Sequence, residues 1–415
     1  MVGHRRDFLS ALAAASAMNI VRPSLATSPP LDLEQDAPAS ADLGSQWDEI
    51  MQLVPDGEFS NSFLQPQFQS IDEHREHARA LVLDALACVR STESQAEFQA
   101  EVIDRADRGE YFREKIVFST SPAFRVPAYV LIPKGIKKPA PAIVDLHSHG
   151  GMFLFGKEKV VDLGENSPTM TEYHASNYGG RPTATELVRR GYVVITIDAL
   201  MFGERRIVRQ QDVEAGFERS GYSSDDVQRL NQQCRQREAT IVKGLTLAGL
   251  NWPGLVTADD MRTVDYLITR PEIDPERIGC VGVSFGGHRS LFLAGLDSRI
   301  KAACVTGFMS TVRPMIRKHL DTHSFVHFVP QLHRHLDLPD VAGLRAPLPL
   351  MVQQCSQDDL FPLSGMQAAV EKLKAIYAKA GASENFTGSY YDVPHRFSLP
   401  MQEDAMAFFD KHLKP

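Results

Sequence analysis

Arg277-Ile-Gly-Cys-Val-Gly-Val-Ser-Phe-Gly-Gly-His-Arg289 is the stretch whose reading decides the fold. Ile278 to Val283 is a short apolar run rich in β-branched residues, as expected of a strand buried on both faces. It ends in Gly282-Val283-Ser284-Phe285-Gly286, a G-x-S-x-G pattern, and the helix-compatible run His288 to Leu296 follows. Strand, serine, helix is the context in which this pattern forms a sharp turn that exposes a serine hydroxyl. Glycine two before and two after the serine has a steric reason, because a side chain there would collide where strand and helix approach. Ser284 is therefore a candidate nucleophile at the carboxyl end of a central strand. The plainer alternative is a glycine-rich turn carrying an ordinary serine, and only partner residues decide between them.

Composition narrows the classes. The chain has 415 residues, 43% hydrophobic and 23% charged, which suits a soluble protein with a sizeable core. A net charge of −8 offers no basic footprint, so nucleic acid and anionic membrane are poor partners. Cys88, Cys234, Cys280, Cys304 and Cys355 are scattered without a CxxC pair, which argues against a zinc or disulfide framework.

Residues 1–26 read as an export signal of the twin-arginine type, expected to deliver the protein to the periplasm or beyond. Arg5-Arg6 precedes an apolar, Ala-rich run from Phe8 to Val21, and Ser24-Leu25-Ala26 offers a small-x-small cleavage site. That run is too short to span a bilayer comfortably, and no other segment reaches such length, so stable membrane insertion is not expected. Residues 27–45 read as a disordered linker rich in Pro, Ala, Ser and Asp. Residues 46–110 form an expected helical extension, with one helix from Ile71 to Val89 and a second from Gln95 to Ala106.

From Tyr111 the pattern becomes α/β and continues to residue 415. Glu114 to Ser119 and Val126 to Ile132 read as paired strands. Further strands are expected at Ala142 to Leu146, Gly191 to Asp198, Ile300 to Thr306, Leu348 to Gln354 and Gly388 to Asp392. Helices are expected at Thr183 to Arg190, Thr257 to Arg270, Ala368 to Ala380 and Met401 to Leu413. Alternation of this kind means a mostly parallel, doubly wound sheet with helices on both faces.

A serine becomes a nucleophile when a base takes its proton and a third group holds the base. After the strand ending at Gln354 comes Cys355-Ser-Gln-Asp358-Asp359-Leu-Phe-Pro362. After the strand ending at Asp392 comes Val393-Pro394-His395-Arg396-Phe397, just ahead of the last helix. His395 is thus the candidate base. Asp358 is favoured over Asp359 as its orienting acid by the spacing to Pro362, with Asp359 left as a helix cap. An oxyanion needs two N–H donors. Phe285, following the nucleophile, supplies one, and the loop His147-Ser-His-Gly-Gly151 supplies the other from His149 or, alternatively, Gly150. His147 and His149 could instead suggest a metal, but no acidic third ligand lies nearby in sequence.

Four stretches together resemble bacterial α/β-hydrolases grouped with acetyl xylan esterases and dienelactone hydrolases. They are Pro141 to Lys157, Gly191 to Arg205, Asp265 to Gly287 and Ala346 to Pro362. The resemblance covers roughly residues 110 to 413. It implies an α/β-hydrolase fold and a Ser284–Asp358–His395 triad that cleaves esters of small molecules or carbohydrates without a cofactor. Ser148 departs from the usual glycine, which implies a stiffer oxyanion loop; dienelactone hydrolases proper use cysteine where Ser284 stands. A peptidase of the prolyl-oligopeptidase type and a non-catalytic binding protein on the same fold are the alternatives. Among other residues, Asp198 with Arg205 reads as a structural pair, and His323 and His327 as part of a lid that could share a helix face. Phe325, Phe328 and Trp252 are expected in the pocket wall.

Overall fold

A computed structural model describes residues 41–414 except 55–56, 89–97, 137–138, 165–166 and 209–222. The expected export signal and most of the linker lie outside the described residues. Of the linker, residues 41–45 are described, and Asp42 is held at both ends, its N–H donating to the Arg317 carbonyl and its carboxylate accepting from Leu320 N.

Nine strands form one sheet in the order β1-β2-β3-β5-β4-β6-β7-β8-β9. They are β1 (Glu101–Asp107), β2 (Tyr111–Ser119), β3 (Arg125–Pro133), β4 (Ala140–Leu146), β5 (Val193–Ile197), β6 (Ile273–Val283), β7 (Ile300–Thr306), β8 (Leu350–Cys355) and β9 (Phe386–Tyr391). The first three and β5 pair antiparallel, and the pairs from β5 through β9 are parallel. This is the α/β-hydrolase architecture expected from the sequence. The order reverses at β4, which lies between β5 and β6, and crevices at such switch points take ligands beyond the carboxyl strand ends.

The core lies on both faces because the central strands alternate between them. In β6, Ile278 and Cys280 join one apolar cluster while Val281 and Val283 join the other. The first face is covered by α2 (Ile71–Ala85), α6 (Trp252–Leu267), α7 (Phe285–Leu296), α9 (Leu338–Gly343) and α10 (Leu363–Lys379). The second is covered by α3 (Pro168–Tyr178), α4 (Thr183–Arg189) and α11 (Leu399–Leu413). Of the other described helices, α5 (Ser224–Leu247) adds Val227 and Leu230 to the second cluster, Met315 of α8 (Val312–Lys318) packs against the first, and α1 (Trp47–Met51) buries no residue. A buried Arg289–Asp260 pair, with contacts of 2.9 and 2.6 Å, fastens α7 to α6. Breaking such a pair from one side strands a charge in the core, so it specifies which helix faces which.

One expectation fails outright. Glu101 to Ala106, expected within a second helix, lies in β1, an edge strand paired with β2 from Glu101↔Val117 to Asp107↔Phe112. Its Val102 and Ile103 are exposed, so no core pattern marks it as a strand. Cross-strand charges hold it instead, Asp104 to Arg113 at 3.7 Å and Arg105 to Glu114 at 3.8 Å. The first helix is present as α2 and docks on the core, Arg79 Nε donating to the Leu296 carbonyl at 2.9 Å and Arg75 Nε to that of Leu344 at 2.6 Å. None of its residues lines the cavity that holds Ser284.

Where β6 turns into α7, Ser284 has φ 60° and ψ −121°, a conformation seldom adopted by a residue with a side chain. A Cβ on Gly286 would fall inside the Leu146 carbonyl oxygen, and one on Gly282 would overlap the Gly286 carbonyl group. The reason read from the sequence for both glycines is thus physical contact. Gly286→Ala is expected to cost at least about 1–3 kcal/mol through overpacking, seen as a lower denaturation midpoint. Gly244→Ala, in α5 with nothing within 4 Å of its Cβ, is expected to raise stability by up to about 1 kcal/mol.

Candidate active site

The site is built from the ends of β4, β5, β6, β7, β8 and β9. Ser284 N–H donates to the Thr306 carbonyl at 2.9 Å, which ties the elbow to the end of β7. As first residue of α7, Phe285 has a backbone N–H without an acceptor in its own helix. Its side chain is fully buried, stacked on Phe202 at 5.5 Å, and Phe202 in turn stacks on Phe153 at 5.2 Å. Aromatic packing thus fixes the residue beside the serine.

The loop after β8 presents two aspartates with different fates. Asp358 is buried, and its Oδ2 lies 2.6 Å from His395 Nδ1, while its Oδ1 accepts from Leu360 N at 2.9 Å. Asp359 is exposed, and the cap position of α10 is taken by Pro362 without a side-chain bond, so Asp359 caps nothing. A carboxylate only accepts, so His395 Nδ1 carries a proton and donates it to Asp358, which leaves Nε2 as the ring nitrogen facing away from the acid. That Nε2 has no hydrogen-bond partner among the described residues. Ser284 and His395 line one cavity of about 780 Å³. They share it without a closed hydrogen bond, a looseness common in sites without substrate. The loops carrying acid and base are stitched together, Ser356 N to Tyr391 O at 2.9 Å and Gln357 N to Val393 O at 3.2 Å.

The His147–Gly151 loop is held from three sides. His147 Nε2 accepts from Ala199 N at 3.1 Å, so its Nδ1 bears the proton and donates to the Ser148 carbonyl at 2.9 Å. Ser148 Oγ meets Tyr173 Oη at 2.7 Å and accepts from Tyr178 Oη at 3.0 Å, which ties the loop to α3. Lys159, fully buried, donates to both the Ser148 and His149 carbonyls at 2.9 Å. Burial depresses its ammonium well below the usual lysine range, against the pull of Asp198 and Glu158. His149 Nδ1 accepts from Gly151 N at 3.0 Å, and burial lowers its pKa to about 3. The lone pairs of His147 Nε2 and His149 Nδ1 are therefore spent on backbone N–H groups, which removes the metal alternative raised for this pair.

Beneath the loop, Glu158, Asp198 and Glu204 bring carboxylate oxygens close enough to hold a cation. The ammonium of Lys157 already stands among them, at 3.0, 2.7 and 2.7 Å. Asp198 also accepts from Lys157 N at 2.8 Å and Glu204 N at 2.9 Å, so it knots the loops after β4 and β5. The expected Asp198–Arg205 pair is not formed by carboxylate and guanidinium. Arg205 reaches the Asp198 carbonyl and pairs with Asp259 at 2.7 Å, while the carboxylate belongs to Lys157.

The cavity roof comes from 321–327, within the segment read as a lid, and from α5, a helix the sequence reading did not find. His323 and His327 share no α-helix, since His323 lies in a turn and His327 ends a short 3-10 turn; their rings are 5.5 Å apart. Glu238 of α5 pins this segment, accepting from Ser324 Oγ at 2.6 Å and Phe325 N at 2.8 Å. Of the three expected wall residues, Phe325 lines the cavity and Phe328 does not. Trp252 is buried as first residue of α6, its indole N–H donating to the Leu200 carbonyl at 3.2 Å. An aromatic residue in a loop and one at a helix start look alike in sequence.

Just upstream of the His147 loop, Asp145 is buried and its Oδ2 accepts from Thr183 Oγ1 at 2.6 Å. Burial, partly offset by that bond and by Arg289, raises its pKa from 3.8 to about 7. The folded state therefore holds this proton more tightly than the unfolded chain does. The contribution is complete below pH 3.8 and is lost as pH rises through about 7. Asp145→Asn, neutral throughout, is expected to be more stable than wild type at pH 8. The difference should shrink as pH falls toward 4, as read from denaturant midpoints at each pH.

Comparison with known proteins sets this geometry in a lineage. YtaP of Bacillus subtilis (strain 168), whose name marks it as a candidate hydrolase, is 27% identical over 316 residues, covering 75% of this chain and 92% of that protein. A candidate acetyl xylan esterase from Bacteroides fragilis NCTC 9343 superposes with a TM-score of 0.60 at 18% identity, covering 84% of this chain and 82% of its own. A glucuronoyl esterase from Solibacter usitatus superposes at 0.59 with 14% identity, covering 87% and 99%. At such identities these two structures speak for the fold alone. A family profile described as Abhydrolase family matches residues 47–408. With nearly the whole described chain inside that match, the protein belongs to the Abhydrolase family.

Proposed function

We propose that this protein is a serine hydrolase of carboxylic esters acting on esterified carbohydrate. The observation that carries the reading is the 2.6 Å contact between His395 Nδ1 and Asp358 Oδ2, made by a histidine that lines the same cavity as the elbow serine. Ser284 Oγ attacks the ester carbonyl while His395 Nε2 takes its proton. Asp358 keeps the imidazole in the required tautomer and offsets the charge it gains. The tetrahedral oxyanion is received by the N–H of Phe285 and by that of His149 or Gly150, in a loop whose carbonyls Lys159 holds. Collapse expels the alcohol with the proton from His395. A water, deprotonated by the same nitrogen, then releases the acid and restores Ser284.

The substrate class is supported by the printed names of two structural neighbours, a candidate acetyl xylan esterase and a glucuronoyl esterase. Among the described residues, no helix is long and apolar enough to cross a membrane. Export is part of the proposal, resting on Arg5-Arg6 and the apolar run behind them.

A fluorophosphonate probe is expected to label wild type and not Ser284→Ala. Absence of labelling in folded wild type would instead favour a binding protein. With p-nitrophenyl acetate, Asp358→Asn is expected to lower kcat by about four orders of magnitude, the scale of losing a triad acid. Asp359→Asn should change it little, and equal losses would sink the assignment of Asp358. Replacing Arg5 and Arg6 by lysine is expected to leave the protein in the cytoplasm of its bacterial host, read by fractionation and immunoblot.

A further inference from the structure

A second cavity, of about 630 Å³, adjoins the one that holds Ser284. The two share Gly151, in the oxyanion loop, and Arg235, on α5. Along α5, Gln228, Gln232 and Arg235 succeed one another at i, i+4 and i+7, so they form one stripe on one helix face. All three are exposed, and their side chains make no hydrogen bond or ion pair with described residues. Asn231 beside them is committed to structure, its Oδ1 accepting from Phe153 N and Leu154 N at 2.8 and 3.1 Å. That bond anchors α5 to the segment just past the oxyanion loop, so the stripe has a fixed position relative to Ser284. At 1.5 Å per residue the stripe runs about 10 Å along the helix axis, roughly the length of a disaccharide.

We infer that this groove is a subsite for the neutral sugar chain attached to the ester, with Gln228, Gln232 and Arg235 binding its hydroxyls. The substrate class rests on the esterase reading above; the groove itself rests on its own geometry. Its chemistry selects the occupant. Planar amides and a guanidinium offer paired donors and acceptors matching vicinal hydroxyls. The two charged side chains in the lining, Arg235 and Glu172, are opposite in sign, which suits a neutral chain better than a polyanion. The lining is more polar than apolar, with Met152 and Val227 as its hydrophobic side chains, which suits hydroxyl groups better than a lipid acyl chain. Because the groove meets the catalytic cavity at the oxyanion loop, a chain lying in it can enter beside Ser284 while the remainder stays on α5.

The test uses the full-length protein and acetylated xylo-oligosaccharides of increasing length. In wild type, kcat/KM is expected to rise about tenfold from acetylated xylose to acetylated xylotetraose. Gln228→Ala with Gln232→Ala should flatten that rise, while Arg237→Ala, on the opposite side of the helix, should preserve it. Hydrolysis that is length-independent in wild type, or length-dependent in the double variant, overturns the subsite. If wild type cleaves none of these esters and takes no fluorophosphonate, the esterase reading has failed. The groove is then judged by calorimetry with unesterified xylotetraose, cellotetraose and mannotetraose. Binding lost in the double variant sustains it, and no binding of any of the three overturns it.

Discussion

The site depends on a close approach of backbone to backbone, where the first turn of α7 lies against the Leu146 carbonyl at the end of β4. Only glycines at 282 and 286 permit it. Ser284 accepts a φ of 60° because the strand before it and the helix after it leave its backbone no alternative. The same contact places the start of the His147–Gly151 loop directly beside Ser284, since Leu146 is the last residue of β4. One packing constraint therefore sets two of the distances that chemistry at Ser284 would need. The strain is local; its support comes from β7, through the Ser284–Thr306 bond, and from α6, through the buried Arg289–Asp260 pair.

Around that contact the protein stores charge in unusual depth. Two lysines, Lys157 and Lys159, are fully buried on either side of Glu158, yet they are satisfied in opposite ways. Lys157 faces carboxylates and behaves as an internal cation for a site that would otherwise carry three negative groups. Lys159 donates to carbonyls and stands over the rings of Tyr173 and Phe202. A buried ion pair is weak evidence of stability, because desolvation offsets most of its attraction. Its value here is geometric: Asp198, reached by two backbone N–H groups and one ammonium, fixes the loops after β4 and β5 relative to each other. Gly156 and Gly203 follow from that, since a Cβ on either would overlap the Asp198 carboxylate. The Gly-Lys-Glu and Phe-Gly-Glu-Arg stretches are thus parts of one buried assembly rather than two separate motifs.

The central strands and the elbow were legible because burial on both faces leaves a continuous apolar signal, broken only where glycine is sterically required. Asp358 and His395 were legible because each follows a strand that such a signal locates. What failed did so where local pattern and tertiary context part. Glu101 to Asp107 carries charges at a spacing compatible with a helix, and only the partner strand β2, through Arg113 and Glu114, makes it β1. Ser224 to Leu247 is the converse, a long helix with few buried residues, Val227, Leu230, Cys234 and Glu238, too sparse a stripe to announce itself. Its capping box at Ser223 and Asp226 was the one available signal. Asp198 was paired with the wrong base because Lys157 stands 41 residues away in sequence, beyond any local spacing rule.

The crowding of imidazoles around His395 has a consistent electrostatic reading. In the proposed mechanism His395 becomes a cation while Ser284 attacks, so any positive charge nearby would oppose the step. His149, His288, His323 and His327 all lie in this region, and burial lowers the pKa of each, those of His149 and His288 to about 3. For His327 the neighbouring His288, His323, His149 and His395 lower it further, since each disfavours a second charge beside it. Held neutral, these rings supply hydrogen-bonding edges and aromatic faces without competing with the one imidazolium that has a carboxylate to receive it. Asp358 is what distinguishes His395 from the others: among these five rings it alone bonds a carboxylate in the described structure. Desolvation thus keeps positive charge off the four rings around His395.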